Sequence, residues 1–146
     1  MVVRVAVPTH FVYNMIIFMP SNPKTLVATT SDPRYQELFF DWLSKRKLVS
    51  NHVRIAVAGC VKDREAIMKS IRQAKKSYGI QKVVLINALG DKAYSERKFA
   101  NSDLEKEAHR NDLKNTAAAI KAESPGIQVE LFLVDGKHKF EEIPLQ

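Results

Sequence analysis

The chain has 146 residues, 45% hydrophobic and 27% charged, with 5 Gly, 6 Pro and no low-complexity tract; this is one domain's worth of chain with material for a core, and it excludes a fibrous or disordered class. The formal net charge is +7 with a pI near 9.6, which admits a small anion as ligand, but the densest basic runs, Ser44–Lys47, Arg72–Ser77 and Gly136–Lys139, bring no nucleic-acid-binding motif, and that argues against DNA or RNA. Cys60 is the single cysteine, so an internal disulfide and a cysteine-based zinc cluster are excluded, and a reducing cytoplasm is the expected home.

Taken in chain order, residues 1–24 come first, with "VRVAV" and the apolar run Phe11–Met19. That run is too short to span a bilayer and lacks the basic lead-in and small-residue cleavage pattern of a signal peptide. It reads as a strand or packing arm; left uncovered, it would be a patch needing a partner. Thr25–Thr30 then reads as a strand. Asp32-Pro33 is an N-cap followed by proline, opening a helix that runs to about Leu48 and buries Leu38, Phe39, Trp42 and Leu43. Val53–Gly59 is the next strand, apolar enough to be covered on both faces. A helix starting at Asp63 carries Ile67, Ile71, Ala74 and Tyr78 on one face and stops at Gly79. Lys82–Asn87 is a third apolar strand. "SDLE" (Ser102 to Glu105) has the form of a capping box, and its helix continues through Leu113, Ala117 and Ile120 to the break at Ser124-Pro125-Gly126. Gln128–Val134 is the last strand. Such alternation predicts a single α/β domain, a three-layer sandwich whose central, mainly parallel sheet is flanked by helices.

In sheets of this kind ligands sit beyond the carboxyl ends of the strands. Two segments fall there: "TSDPR" (Thr30 to Arg34) and "NALGDKAY" (Asn87 to Tyr94). Neither holds a dinucleotide fingerprint or a phosphate-cradling loop, and there is no nucleophile elbow.

The order of these elements resembles the β-class carbonic anhydrases, in their short bacterial and archaeal form. A strand ends in x-x-Asp-x-Arg, "VAG" follows the second strand, "VVLIN" leads into a loop with "AY", and the helix "EKEAHRNDLKNTAAAI" precedes the strand "VELFLVDG". The likeness covers roughly residues 25 to 141. Members of that family carry Cys-x-Asp-x-Arg after the first strand and His-x-x-Cys-Gly after the third. Their two cysteines and histidine hold zinc, whose bound water attacks carbon dioxide, and the Asp and Arg pair with each other. Carried over residue by residue, the ligand positions are Thr30, Ala88 and Asp91, and the glycine that follows is Lys92. Only Asp32 and Arg34 match.

Catalytic zinc needs about three protein ligands and an open position for water. Without the metal nothing lowers the pKa of water from about 15.7 to about 7, and an ordinary aspartate is too weak a base to replace it. The resemblance therefore implies a zinc-free member without hydratase activity, with a binding or scaffold role. Asp32 and Arg34 are read as a retained pair serving the strand-to-helix turn, and Asp91, Lys92 and Tyr94 as the remains of the pocket. Asp91 or Asp32 is expected to pair with Arg34 or Lys92 where the metal would have been. Lys98 and Phe99 either close that pocket or form a surface loop. Cys60 reads as a small buried apolar residue. His10, His52, His109 and His138 lack metal-ligand spacing, and His109, four residues after Glu105, is expected on a helix surface. Family members dimerise through N-terminal and sheet-edge contacts, which implies a homodimer. Two alternatives stay open: an enzyme of altered chemistry in the same cleft or with a relocated metal, and a basic protein that binds anions or nucleic acid.

Overall fold

A computed structural model describes residues 23–145; the N-terminal run Phe11–Met19 lies outside the described residues. Strand β1 (Thr25–Thr30) leads through a 3₁₀ turn (Pro33–Tyr35) into helix α1 (Gln36–Lys45). Then come β2 (Val53–Val57), a 3₁₀ turn (Cys60–Lys62), α2 (Arg64–Tyr78) and β3 (Lys82–Ala88). A third 3₁₀ turn (Lys92–Arg97), α3 (Ser102–Glu123), β4 (Gln128–Val134) and β5 (Phe140–Ile143) complete the described chain.

The five strands form one sheet in the order β2-β1-β3-β4-β5. The first four are parallel and β5 is antiparallel to β4. Strand alternation sorts the side chains into two apolar layers. On one face Leu26, Ala28, Leu85 and Leu131 meet Ile67 and Ile71 of α2 and Leu113, Ala117 and Ile120 of α3. On the other, Val27, Val84, Ile86 and Phe132 meet Phe39, Trp42 and Leu43 of α1. Each large side chain so buried contributes about 1.5–3 kcal/mol. The mainly parallel α/β sandwich expected from the alternation is the architecture observed.

Several local expectations fail for identifiable reasons. Among the described residues β2 is an edge strand, and it is only partly buried. Val53, Ile55 and Val57 pack on the α2–α3 side, while Arg54 lies across the other face, 5.4 Å above the Phe39 ring, donating to Thr29 Oγ1 and Gln36 Oε1 at 3.0 Å each. A run that looks apolar by composition thus carries one polar-capped face. α1 stops at Lys45, short of Leu48, where Lys47 turns left-handed (φ 58°). Tyr78, at the end of α2, is 42% exposed and not part of its buried stripe. β5 had no sequence signal: the Gly136–Lys139 run is its turn, held by Asp135 Oδ1, which accepts from the amides of Lys137 and Lys139. Among the described residues no helix is long and apolar enough to cross a membrane.

Candidate functional site

The carboxyl ends of β1 and β3 lie side by side, and Arg34 ties them together. Asp32 opens the turn after β1, its Oδ1 accepting from the Arg34 amide at 3.0 Å, with Pro33 as the first residue of the turn. The Arg34 guanidinium folds back on the same carboxylate, Nε to Oδ1 at 3.1 Å and Nη2 to Oδ2 at 2.6 Å. Its Nη2 also donates to Gly90 O at 2.7 Å, and Tyr35 OH donates to Leu89 O at 2.6 Å. The Arg34 hydrogen bonds and charge hold the Asp32 carboxyl at about 2, well below the usual carboxylate range, against the opposing effect of burial. Thr30 is fully buried and its hydroxyl accepts the Asp32 amide at 3.1 Å.

After β3 the chain passes through Ala88, fully buried in the apolar layer under α1, and turns at Gly90 (φ 77°). Gly90 donates its amide to Glu105 Oε1 at 2.8 Å. Asp91 is buried and caps the next 3₁₀ turn, Oδ1 accepting from the Ala93 amide at 3.0 Å. The ion pair at the strand ends is Asp32 with Arg34. Asp91 and Lys92 take part in no ion pair among the described residues, and Lys92 is exposed. Beside the loop is a cleft of about 420 Å³ whose walls include Gly90, Asp91, Lys98, Phe99 and Glu105. Lys98 holds a left-handed conformation there (φ 48°). Of the pocket residues expected from the sequence, Asp91 lines the cleft, whereas Lys92 and Tyr94 do not, Tyr94 being wholly buried.

Tyr94 belongs to a buried polar cluster that also corrects the reading of His109. His109 is fully buried, not on the helix surface; its ring centroid lies 3.8 Å from that of Tyr94. Counting back from Leu113, Ala117 and Ile120 by helical steps lands on His109, so the periodicity of α3 carried this signal. Asn87, the one polar side chain inside β3's apolar run, is the second clue. A backbone amide can only donate, so the Val61 amide, 3.4 Å from Asn87 Oδ1, fixes which end of the Asn87 side chain is oxygen. Asn87 Nδ2 then donates to Tyr94 OH at 2.9 Å and to His109 Nδ1 at 3.0 Å. Tyr94 OH in turn donates to Asp112 Oδ2 at 2.9 Å, which Arg97 Nη1 pairs at 2.9 Å. With Nδ1 accepting, the His109 proton sits on Nε2, which points toward Glu105 Oε1 at 3.5 Å, beyond good hydrogen-bond reach. Burial lowers the His109 pKa, with Glu105 pulling the other way. Burial, then the Asp112 charge, pushes the Tyr94 phenol up.

The sequence pattern of a capping box at Ser102 is also corrected. Asn101 caps α3, its Oδ1 accepting from the Leu104 amide at 2.9 Å. Glu105 instead reaches across to the Gly90 amide and so braces the cleft. Cys60 is fully buried, and burial raises its thiol to about 12, which leaves it protonated and inert at neutral pH. Among the described residues no group of three or more His, Cys, Asp or Glu side chains is placed to hold a metal ion. Chemically, the cleft offers two carboxylates, Asp91 and Glu105, beside a guanidinium already committed to Asp32.

No protein-family model matches the chain and no curated protein matches it by sequence. Solved structures do match by fold. A carbonic anhydrase from Glaciozyma antarctica superposes with a TM-score of 0.62 at 12% identity, over 97% of this chain and 98% of that one. The β-carbonic anhydrase of the fungal pathogen Aspergillus fumigatus gives 0.61 at 14% identity, over 94% and 82%. One from Sordaria macrospora, described as tetrameric, gives 0.56 at 13%, over 92% and 87%. The chain therefore has a β-carbonic-anhydrase-like fold.

Proposed function

We propose that this protein keeps the carbonic-anhydrase-like scaffold without its zinc chemistry and acts as a binding or scaffold protein. The observation that carries this reading is the donor set at the two strand ends. Of the three ligand positions, Thr30 offers a neutral hydroxyl already taken by the Asp32 amide, Ala88 offers a methyl group buried under α1, and Asp91 alone offers a carboxylate. Zinc in a catalytic site takes about three nitrogen, sulfur or oxygen ligands, so these residues do not fit the ion. Cys60, buried and protonated, supplies no thiolate in their place. Asp32 and Arg34 satisfy each other, which supports a structural role for the pair. The oligomeric fold neighbour from Sordaria macrospora supports self-association, which we take to be a homodimer, and the cysteine usage supports a cytoplasmic location.

Metal analysis of protein purified without chelators tests the reading, together with CO₂ hydration by the zinc-supplemented, folded chain. Substoichiometric zinc and hydration at the uncatalysed rate are expected. One zinc per chain, or rapid hydration, overturns it. A second reading, an enzyme of altered chemistry, draws on the His109 Nε2–H and the Glu105 and Asp91 carboxylates near one cleft. It requires that some turnover be found that vanishes in Glu105→Gln.

A further inference from the structure

A second cavity lies on the α2–α3 side of the sheet, with a volume of about 320 Å³. Three cations, Lys62, Arg64 and Arg97, face it, along with Asp112, Asn115 and Thr116. Asp112 is the single acid in the lining, and its Oδ2 is already engaged by Tyr94 OH and Arg97 Nη1 at 2.9 Å each. Arg97 is further fixed with its guanidinium carbon 4.9 Å from the Tyr94 ring centroid. Lys62 Nζ donates to Ala93 O and pairs with Glu96 at 3.0 Å. Arg64 has no ion pair or side-chain hydrogen bond among the described residues.

Arg64 stands between the Asp63 cap and Glu65 in the first turn of α2. It is the first residue of the 15-residue α2, where the helix dipole is positive and favours anions over cations. Lys62 and Arg97 add like charge. The capping Asp63 side chain serves the Ala66 amide at 3.1 Å, and among the described residues the Arg64 and Glu65 amides have no side-chain acceptor. A dianion seated in the cavity would meet the unengaged Arg64 guanidinium together with the positive charge of Lys62 and Arg97. The Arg64 guanidinium fork suits the planar or tetrahedral oxygens of phosphate, Arg97 and Lys62 add positive charge beside it although each already has an acidic partner, and the cavity exceeds a lone phosphate ion in size. The geometry points to a binding site for a small phosphate-bearing metabolite, held by Arg64, Arg97 and Lys62 at the start of α2. This goes beyond the zinc-free reading and does not depend on it, because none of the cavity residues is a strand-end position named there. It also differs from an anion site at Arg34, whose guanidinium is taken by Asp32 and Gly90.

The test is a titration of the ¹⁵N-labelled chain with glycerol 3-phosphate at low salt, followed by amide shifts. Saturable shifts clustered at residues 61–66, 97 and 115–116 are expected, weakened tenfold or more in Arg64→Ala. Arg97→Lys, which keeps charge but loses the fork, should weaken binding to a lesser degree, while Arg72→Ala, away from the cavity, should bind as the parent does. Non-saturable shifts, shifts spread over all basic surfaces, or unchanged affinity in folded Arg64→Ala overturn the proposal. So does tighter binding of single-stranded DNA at the same residues, which would mark a nucleic-acid surface. Zinc content does not enter either outcome, so this site and the zinc-free reading fail separately.

Discussion

Asn87→Asp isolates the logic of the buried cluster, because it changes one nitrogen to oxygen with almost no change in shape. Asn87 Nδ2 donates two hydrogen bonds, to Tyr94 OH and His109 Nδ1. Losing both costs about 2 kcal/mol at roughly 1 kcal/mol each, and a carboxylate in a fully buried position costs several kcal/mol more unless it is paired. The imidazole is the partner at hand. An acceptor facing Nδ1 favours a second proton there, so the His109 pKa, lowered in the parent by burial, rises above its ordinary value in the variant. The two proteins then respond to acid with opposite sign. In the parent, stability from neutral His109 is present above about pH 6.5 and is lost as pH falls through the depressed folded value. In the variant, stability from the charged pair is present below about pH 6.5 and is lost as pH rises through the elevated one. Urea unfolding followed by circular dichroism should show a deficit of about 3 kcal/mol or more at pH 8 that shrinks by at least 1 kcal/mol at pH 6. An equal deficit at both pH values refutes the reasoning. So does an imidazole ¹⁵N spectrum of the parent with the proton on Nδ1.

Three further outcomes follow from particular contacts. Gly59→Ala should cost about 1–3 kcal/mol, since Gly59 has φ 75° and a Cβ there would lie 2.9 Å from Lys62 Cβ; thermal unfolding at the parent's temperature would contradict this. Trp42→Ala should cost about 3–5 kcal/mol, because Trp42 meets Phe132 edge-on at 5.4 Å and stacks on Phe140 at 5.5 Å; a loss under 1 kcal/mol in denaturant unfolding would show that α1 is not anchored there. Asp32→Asn should cost about 1 kcal/mol at pH 7, a modest figure because the Arg34 side chain is half exposed. Since the Asp32 pKa is depressed to about 2, the pair's contribution is present above about pH 4 and is lost as pH falls toward 2; a difference between parent and variant that persists at pH 2 would contradict it.

What the sequence made legible divides along physical lines. β1 and β4 agree with their runs to the residue, because β-branched and aromatic clusters bounded by Asp-Pro or Pro-Gly leave little freedom. Topology alone places the two strand-end loops side by side, with no side-chain information needed. The failures are tertiary. The burial of His109 is legible in the α3 periodicity through Leu113, Ala117 and Ile120, but its partner is not, since Asn87 is polar for a reason that lies on another element. Glu105 fits a capping box by spacing, yet the Gly90 amide, brought near only by the fold, takes its carboxylate. β2 has the composition of a central strand and is an edge among the described residues, because β3 pairs on the other side of β1. β5 is a four-residue strand with two glutamates, too short and too polar to announce itself.

The Arg34 bridge between Asp32 and Gly90 O has a thermodynamic consequence for anything that enters the cleft. Two loops that would otherwise sample orientations independently are joined during folding, so the Gly90 end of the cleft has already lost conformational freedom before any ligand arrives. Association there should therefore proceed with little ordering of the protein, and a guest of the wrong shape finds no pliant backbone to meet it halfway.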